Sequence, residues 1–70
     1  MTEQEFLNQF SKKVRDYRGS TKQTQEQAAK SFDVPVQTLR NWEYKLYAPT
    51  AYNYIKVVQA MENKNKLSLQ

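Results

Sequence analysis

Apolar residues recur along this chain at helical spacing, and four stretches carry the pattern. Phe6, Leu7, Phe10, Val14 and Tyr17 predict a first helix over about residues 3–18. Ala28 and Ala29 ahead of Phe32 predict a second, short one over 25–32, with small buried residues. Val36, Leu39 and Trp42 stand at i, i+3 spacing, so they share one face of a third helix that ends near Tyr44. Ala51, Tyr54, Ile55, Val58 and Met61 form the stripe of a fourth, packed on the core until about Met61. Beyond it, residues 62–70 turn polar. There Leu67 and Leu69 flank Ser68 as in a short edge strand, which could pair with a second copy; a frayed, disordered terminus is the bland alternative.

The punctuation agrees with these bounds. Thr2 with Glu5, and Thr24 with Gln27, match the capping-box pattern, in which hydroxyl and carboxyl or amide satisfy two early amides reciprocally. Gly19, the only glycine, falls where a left-handed helix end is cheapest. Asp33 occupies a sharp turn and tolerates positive φ better than most side chains. Val34-Pro35 opens the third helix, because proline pre-sets φ and lacks an amide that the first turn would leave unpaired. Thr50 after Pro49 caps the fourth. The expectation is an all-α fold, a compact domain over 1–61 made of four helices, or five, with a polar tail over 62–70.

Composition narrows the chemistry. Seventy residues allow one domain with a small core. With no cysteine and no histidine, the chain lacks thiolate ligands, disulfides and the commonest general base and metal ligand. Its seven acids are scattered, so an enzyme, a metal centre and a cofactor are not expected. No apolar run reaches membrane-spanning length and the acidic start is unlike a signal peptide, so a cytoplasmic location is the default. A membrane-surface role is weak, because the apolar face of the first helix is needed for the core. The net charge is +4, and Lys12, Lys13, Arg15, Arg18 and Lys22 cluster against Asp16 alone. That segment suits a polyanion, although small soluble domains are often this basic.

The third helix carries the informative surface. Opposite its apolar face stand Gln37 and Asn41, four apart, with Tyr44 beyond and Thr38 and Arg40 on the flanks. An amide offers a donor and an acceptor together, which suits adenine N6 and N7. Arg40 could fork to guanine or to phosphate, and Thr38 could meet a thymine methyl or a phosphate. Val36 divides between core edge and thymine methyl. The competing reading of this set is an ordinary solvated face. Gln25, at the amino end of the second helix, has free amides and a dipole to attract phosphate, and Thr24 caps the same turn. Lys22, Tyr44, Lys45 and Tyr47 are further phosphate candidates, each lysine alone being more commonly a solvated charge. Trp42 could stack on a base, but its spacing with Leu39 places it inward.

The segments Thr24-Gln25-Glu26-Gln27-Ala28-Ala29 and Val34-x-x-Gln37-Thr38-Leu39-Arg40-Asn41-Trp42-Glu43, with the later Pro49-Thr50, resemble the Cro/repressor-type (Xre-like) helix-turn-helix family. The likeness spans roughly residues 10–61, with the motif at 25–44. It implies a lambda-repressor-like fold and a sequence-specific regulator of transcription that binds double-stranded DNA as a homodimer on a palindromic operator. A small phage- or mobile-element-type repressor would fit. It also implies that Gln25 grips the DNA backbone, and that Arg15 pairs with Glu43 to hold the first and third helices together. The chain departs from the family at Asp33, where glycine is usual, and at Pro35, where a serine or threonine cap is usual. The loop after Gly19 is about three residues longer than usual. The alternative function is a protein-interaction module of the same fold, as in an antitoxin or adaptor; an outward Leu or Phe on the third helix would favour it, and none is present.

Overall fold

The computed structural model describes residues 1–69, with side chains described as far as Glu62. Four helices follow in the order α1 (Glu3–Ser20), α2 (Gln25–Phe32), α3 (Val36–Glu43) and α4 (Ala51–Leu69), and among the described residues there is no strand. The starts of α1, α2 and α4 obey the capping pattern. Thr2 Oγ1 accepts from the Glu5 amide at 3.1 Å while the Thr2 amide donates to Glu5 Oε1 at 3.3 Å. Thr24 and Gln27 repeat the exchange at 3.1 and 2.9 Å, and Thr50 Oγ1 accepts from the Asn53 amide at 3.2 Å. Each such cap stabilises its helix by about 1 kcal/mol.

The helix ends follow one design, and it is not the one expected at Gly19. That glycine lies inside α1, and no glycine has positive φ. The left-handed residues are Lys22 (φ 56°), Asp33 (59°) and Lys45 (62°). After each, the next amide reaches back five residues: Gln23 to Arg18 (3.0 Å), Val34 to Ala29 (3.0 Å) and Leu46 to Asn41 (2.9 Å). The left-handed residues' own amides bond three back, to Gly19, Lys30 and Trp42. These are Schellman closures, which satisfy the last carbonyls of α1, α2 and α3. Without glycine, each left-handed residue costs roughly 1 kcal/mol.

α3 packs against both α1 and α2, while α4 packs on α2. Phe10, Val14, Ala28, Ala29, Phe32, Leu39, Trp42, Val57 and Met61 make the core, and Val36 and Tyr54 lie at its edge. The two alanines let α3 approach α2 closely. Phe10 meets Trp42 edge-on at 5.3 Å, and Tyr17 covers Phe32 at 5.4 Å. Trp42 is therefore a core residue, 3% exposed.

α4 differs from expectation in face and in length. Tyr54, Val57 and Met61 turn inward, whereas Ile55 is 53% exposed and Ala51 is exposed as well. Apolar residues stand nearly all round the segment 51–61, so periodicity alone leaves its rotation undetermined. The backbone continues helical to Leu69, past the expected stop near Met61. No proline or glycine follows Thr50 to stop it, and a polar composition does not end a helix. Leu67 thus lies on helical rather than extended backbone; its side chain and that of Leu69, with any pairing between copies, lie outside the described residues.

α4 also secures the α2–α3 turn. Lys56 Nζ donates to the Asp33 carbonyl at 2.8 Å, sits 3.7 Å from Asp33 Oδ2 and lies 4.7 Å from the Tyr52 ring centroid. A non-glycine residue thereby holds a left-handed turn.

Gly19→Ala should raise stability by about 0.5–1 kcal/mol, since a Cβ there meets nothing within 4 Å and alanine is the better helix former. Urea denaturation checks it; a loss of stability would contradict the helical placement of Gly19.

Candidate nucleic-acid interface

The site begins at the carboxyl end of α3, where Glu43 is buried although charged, its side chain 4% exposed. Burying a carboxylate is costly unless its oxygens are bonded. Arg18 meets both, through Nε to Oε2 at 2.8 Å and Nη2 to Oε1 at 2.9 Å. This corrects the expected pairing with Arg15, which is exposed and turns back to the Ser11 carbonyl at 3.4 Å. The reason is helical phase. Ser11 and Val14, both fully buried, define the inward line of α1, and Arg18 lies about 20° from Ser11 whereas Arg15 lies about 40° away on the other side. Four residues beyond Val14, Arg18 continues the line past α3.

Ser11 is the second tie to the same residue. Its hydroxyl, buried, donates to the Glu43 main-chain carbonyl at 2.8 Å and so satisfies a late acceptor of α3. The sequence held a signal for it: a serine on an apolar stripe, three before Val14, has to find a partner. The bond to Glu43 pulls the Arg18 pKa above its usual value, with burial opposing the shift. Because the folded pKa is raised, the stabilisation is fully present below the unfolded value and is lost only in strong alkali.

Gln25, the first residue of α2, extends this cluster outward. Its Nε2 donates to Glu43 Oε1 at 3.3 Å, and its Oε1 accepts from Arg40 Nε at 3.2 Å. A continuous polar chain therefore runs Arg18–Glu43–Gln25–Arg40, from α1 through the end of α3 and the start of α2 to the flank of α3. Gln25 and Arg40 are both partly buried.

On the outer side of α3, Gln37 is exposed, and its Nε2 donates to Asn41 Oδ1 at 3.1 Å. Asn41 and Thr38 are partly buried, and Val36 packs against the core edge. Pro35 precedes the helix without a side-chain cap, and its carbonyl accepts from the Thr38 and Leu39 amides. Lys22, Thr24, Tyr44, Lys45 and Tyr47 are exposed in the segments just before α2 and just after α3, with Thr24 committed through its hydroxyl to the α2 cap. The sequence pattern put Arg18 only in a basic cluster and marked neither Ser11 nor Lys56. It placed Gln37, Arg40 and Asn41 on one helix, and the structure joins Arg40 to Glu43 through Gln25.

Compared with family models, curated proteins and solved structures, the chain matches none.

Removing Arg18 leaves Glu43 buried with only Gln25 as a side-chain partner. Arg18→Ala should cost about 2–3 kcal/mol, below the full penalty for a broken buried pair because Arg18 itself is 29% exposed. Arg15→Ala should stay within about 0.5 kcal/mol. Equal losses in chemical denaturation would contradict the assignment.

Proposed function

We propose that this all-helical domain is a sequence-specific DNA-binding regulator of the lambda-repressor-like kind, with α2 and α3 acting as a helix-turn-helix and α3 entering the major groove. The observation that carries this reading is the paired amide edge of α3. The bond from Gln37 to Asn41 orders both side chains, yet leaves Gln37 Oε1, one Gln37 N–H and the Asn41 NH₂ to meet base edges. Arg40 and Thr38 flank that edge, and Val36 can reach a thymine methyl where it emerges from the core. On this reading Lys22, Thr24, Tyr44, Lys45, Tyr47 and the main-chain amide of Gln25 meet phosphates. The net charge of +4 supports a polyanionic partner.

Two copies would be required for high specificity, reading half-sites roughly 34 Å apart. Exposed Tyr52 and Ile55 on α4, 69% and 53% accessible, offer apolar surface for the second copy. On this account Ile55→Glu weakens binding to a duplex with two half-sites while leaving single half-site binding unchanged, as gel-shift titration would report. Equal effects on both duplexes would remove Ile55 from the contact between copies.

Exposed Leu46 and Tyr47, 59% and 65% accessible, favour a second reading as a protein-binding module. Affinity for duplex DNA at two salt concentrations separates the two. Neutralising about six phosphates predicts a loss of roughly a thousandfold between 50 and 200 mM salt. An affinity indifferent to salt would favour the protein-binding reading. Gln37→Ala should erode the preference for specific over random duplex by about tenfold, whereas Lys45→Ala should weaken both alike.

A further inference from the structure

The polar chain ending at Arg40 reaches beyond the holding of helices together. Glu43 can only accept hydrogen bonds, so it selects the NH₂ end of the Gln25 amide. The Gln25 carbonyl oxygen must then face the opposite way, where it meets Arg40 Nε at 3.2 Å. Glu43 is in turn fixed by the two-pronged grip of Arg18. The orientation of Arg40 is thus dictated, through three side chains, from α1.

This arrangement decides which edge of the guanidinium is available. With Nε engaged by Gln25, the terminal Nη1 and Nη2 remain, and among the described residues Arg40 makes no other side-chain bond. That end carries two parallel donors, the fork that matches guanine O6 and N7. A phosphate tolerates many approach angles and gains little from a fixed guanidinium plane. A base edge lies in one plane and gains much, because the entropy of ordering the side chain is already spent in the free protein.

We propose that Gln25 is a positioning residue that holds Arg40 for end-on recognition of a guanine. Preference at one base pair of each half-site then depends on a side chain that touches no base. The inference rests on α3 reading DNA, and it adds which base Arg40 selects and what sets that choice.

Duplexes enriched from a randomised pool by the full chain supply the probe, and single-base replacements of each guanine supply the comparison. For the unaltered chain, replacing one particular guanine should weaken binding about tenfold or more. Arg40→Ala should bring that ratio close to one. Arg40→Lys, which keeps the charge and leaves the Gln25–Glu43 bond untouched, should keep random-duplex affinity but lose most of the guanine preference. Gln25→Met should lower the preference several-fold, and adding Gln25→Met to Arg40→Ala should change it no further. Circular dichroism confirms that each variant is folded. The Arg40 Nε–H resonance of the unaltered protein gives a readout free of mutation: slow exchange is expected, and exchange as fast as that of free arginine in water would overturn the positioning role. If Gln25→Met weakens every duplex equally and leaves the guanine preference intact, Gln25 is a backbone contact and the proposal fails. If Arg40→Ala leaves the preference intact, Arg40 is not the reader. Should the chain enrich no duplex at all, the DNA-reading proposal itself falls, a result distinct from the other two.

Discussion

The buried charge of Glu43 is the constraint on which the rest of this small structure depends. A carboxylate 4% exposed cannot be left unbonded, and the chain surrounds it with Arg18 from α1 and Gln25 from α2. Ser11 adds a bond to the same residue's main-chain carbonyl. Three helices therefore converge on one position at the end of α3. Apolar packing of Leu39, Trp42 and Phe10 supplies the bulk of the driving force for burying α3. Non-directional packing would tolerate rotation or sliding of an eight-residue helix. The bonds to Glu43 remove that freedom, because only one register lets both carboxylate oxygens and the carbonyl find their partners.

The same logic explains how the domain tolerates unfavourable backbone. Lys22, Asp33 and Lys45 each sit in the left-handed region without being glycine. In a domain whose whole stability is expected to be about 5 kcal/mol or a little more, three such residues are a considerable expense. Each is held by the paired bonds of a Schellman closure, and Asp33 is held additionally by Lys56 of α4. The α2–α3 turn is consequently fixed from outside as well as from within. On the proposed function, a helix that must present Gln37, Arg40 and Asn41 in one orientation benefits from that rigidity, since side chains ordered in advance lose less entropy on binding.

Much of this was legible from residue pattern. The helix starts were, because capping residues state their role locally: Thr2, Thr24 and Thr50 each needed only a neighbour three residues on. The inward faces of α1, α2 and α3 were, because Phe10 and Val14, Ala28 and Phe32, and Leu39 and Trp42 stand three or four residues apart. The rotation of α4 was not, because Ile55 and Val58 are as apolar as Val57 and Met61, and only packing against α1 and α2 separates them. Nor was the partner of Glu43, since Arg15 and Arg18 differ by less than one helical turn and a family pattern pointed to the former. The Gln25–Arg40 bond was invisible for a deeper reason. It joins residues 15 apart on two helices, and it follows from the carboxylate acting on Gln25 rather than from any property of either side chain alone.

On the proposed function, the α3 edge, framed by the loops on either side, is the surface that meets duplex DNA. Titrating isotope-labelled protein with duplex DNA while following backbone and side-chain amide resonances tests it residue by residue. The largest shifts should fall on Gln37, Thr38, Arg40 and Asn41, with a second group at Lys22–Gln25 and Tyr44–Tyr47. Phe6, Gln9 and Lys13, on the far side of α1, should stay unmoved. Shifts confined to α1 and α4, with the amides of Gln37 and Asn41 unchanged at saturation, would contradict it.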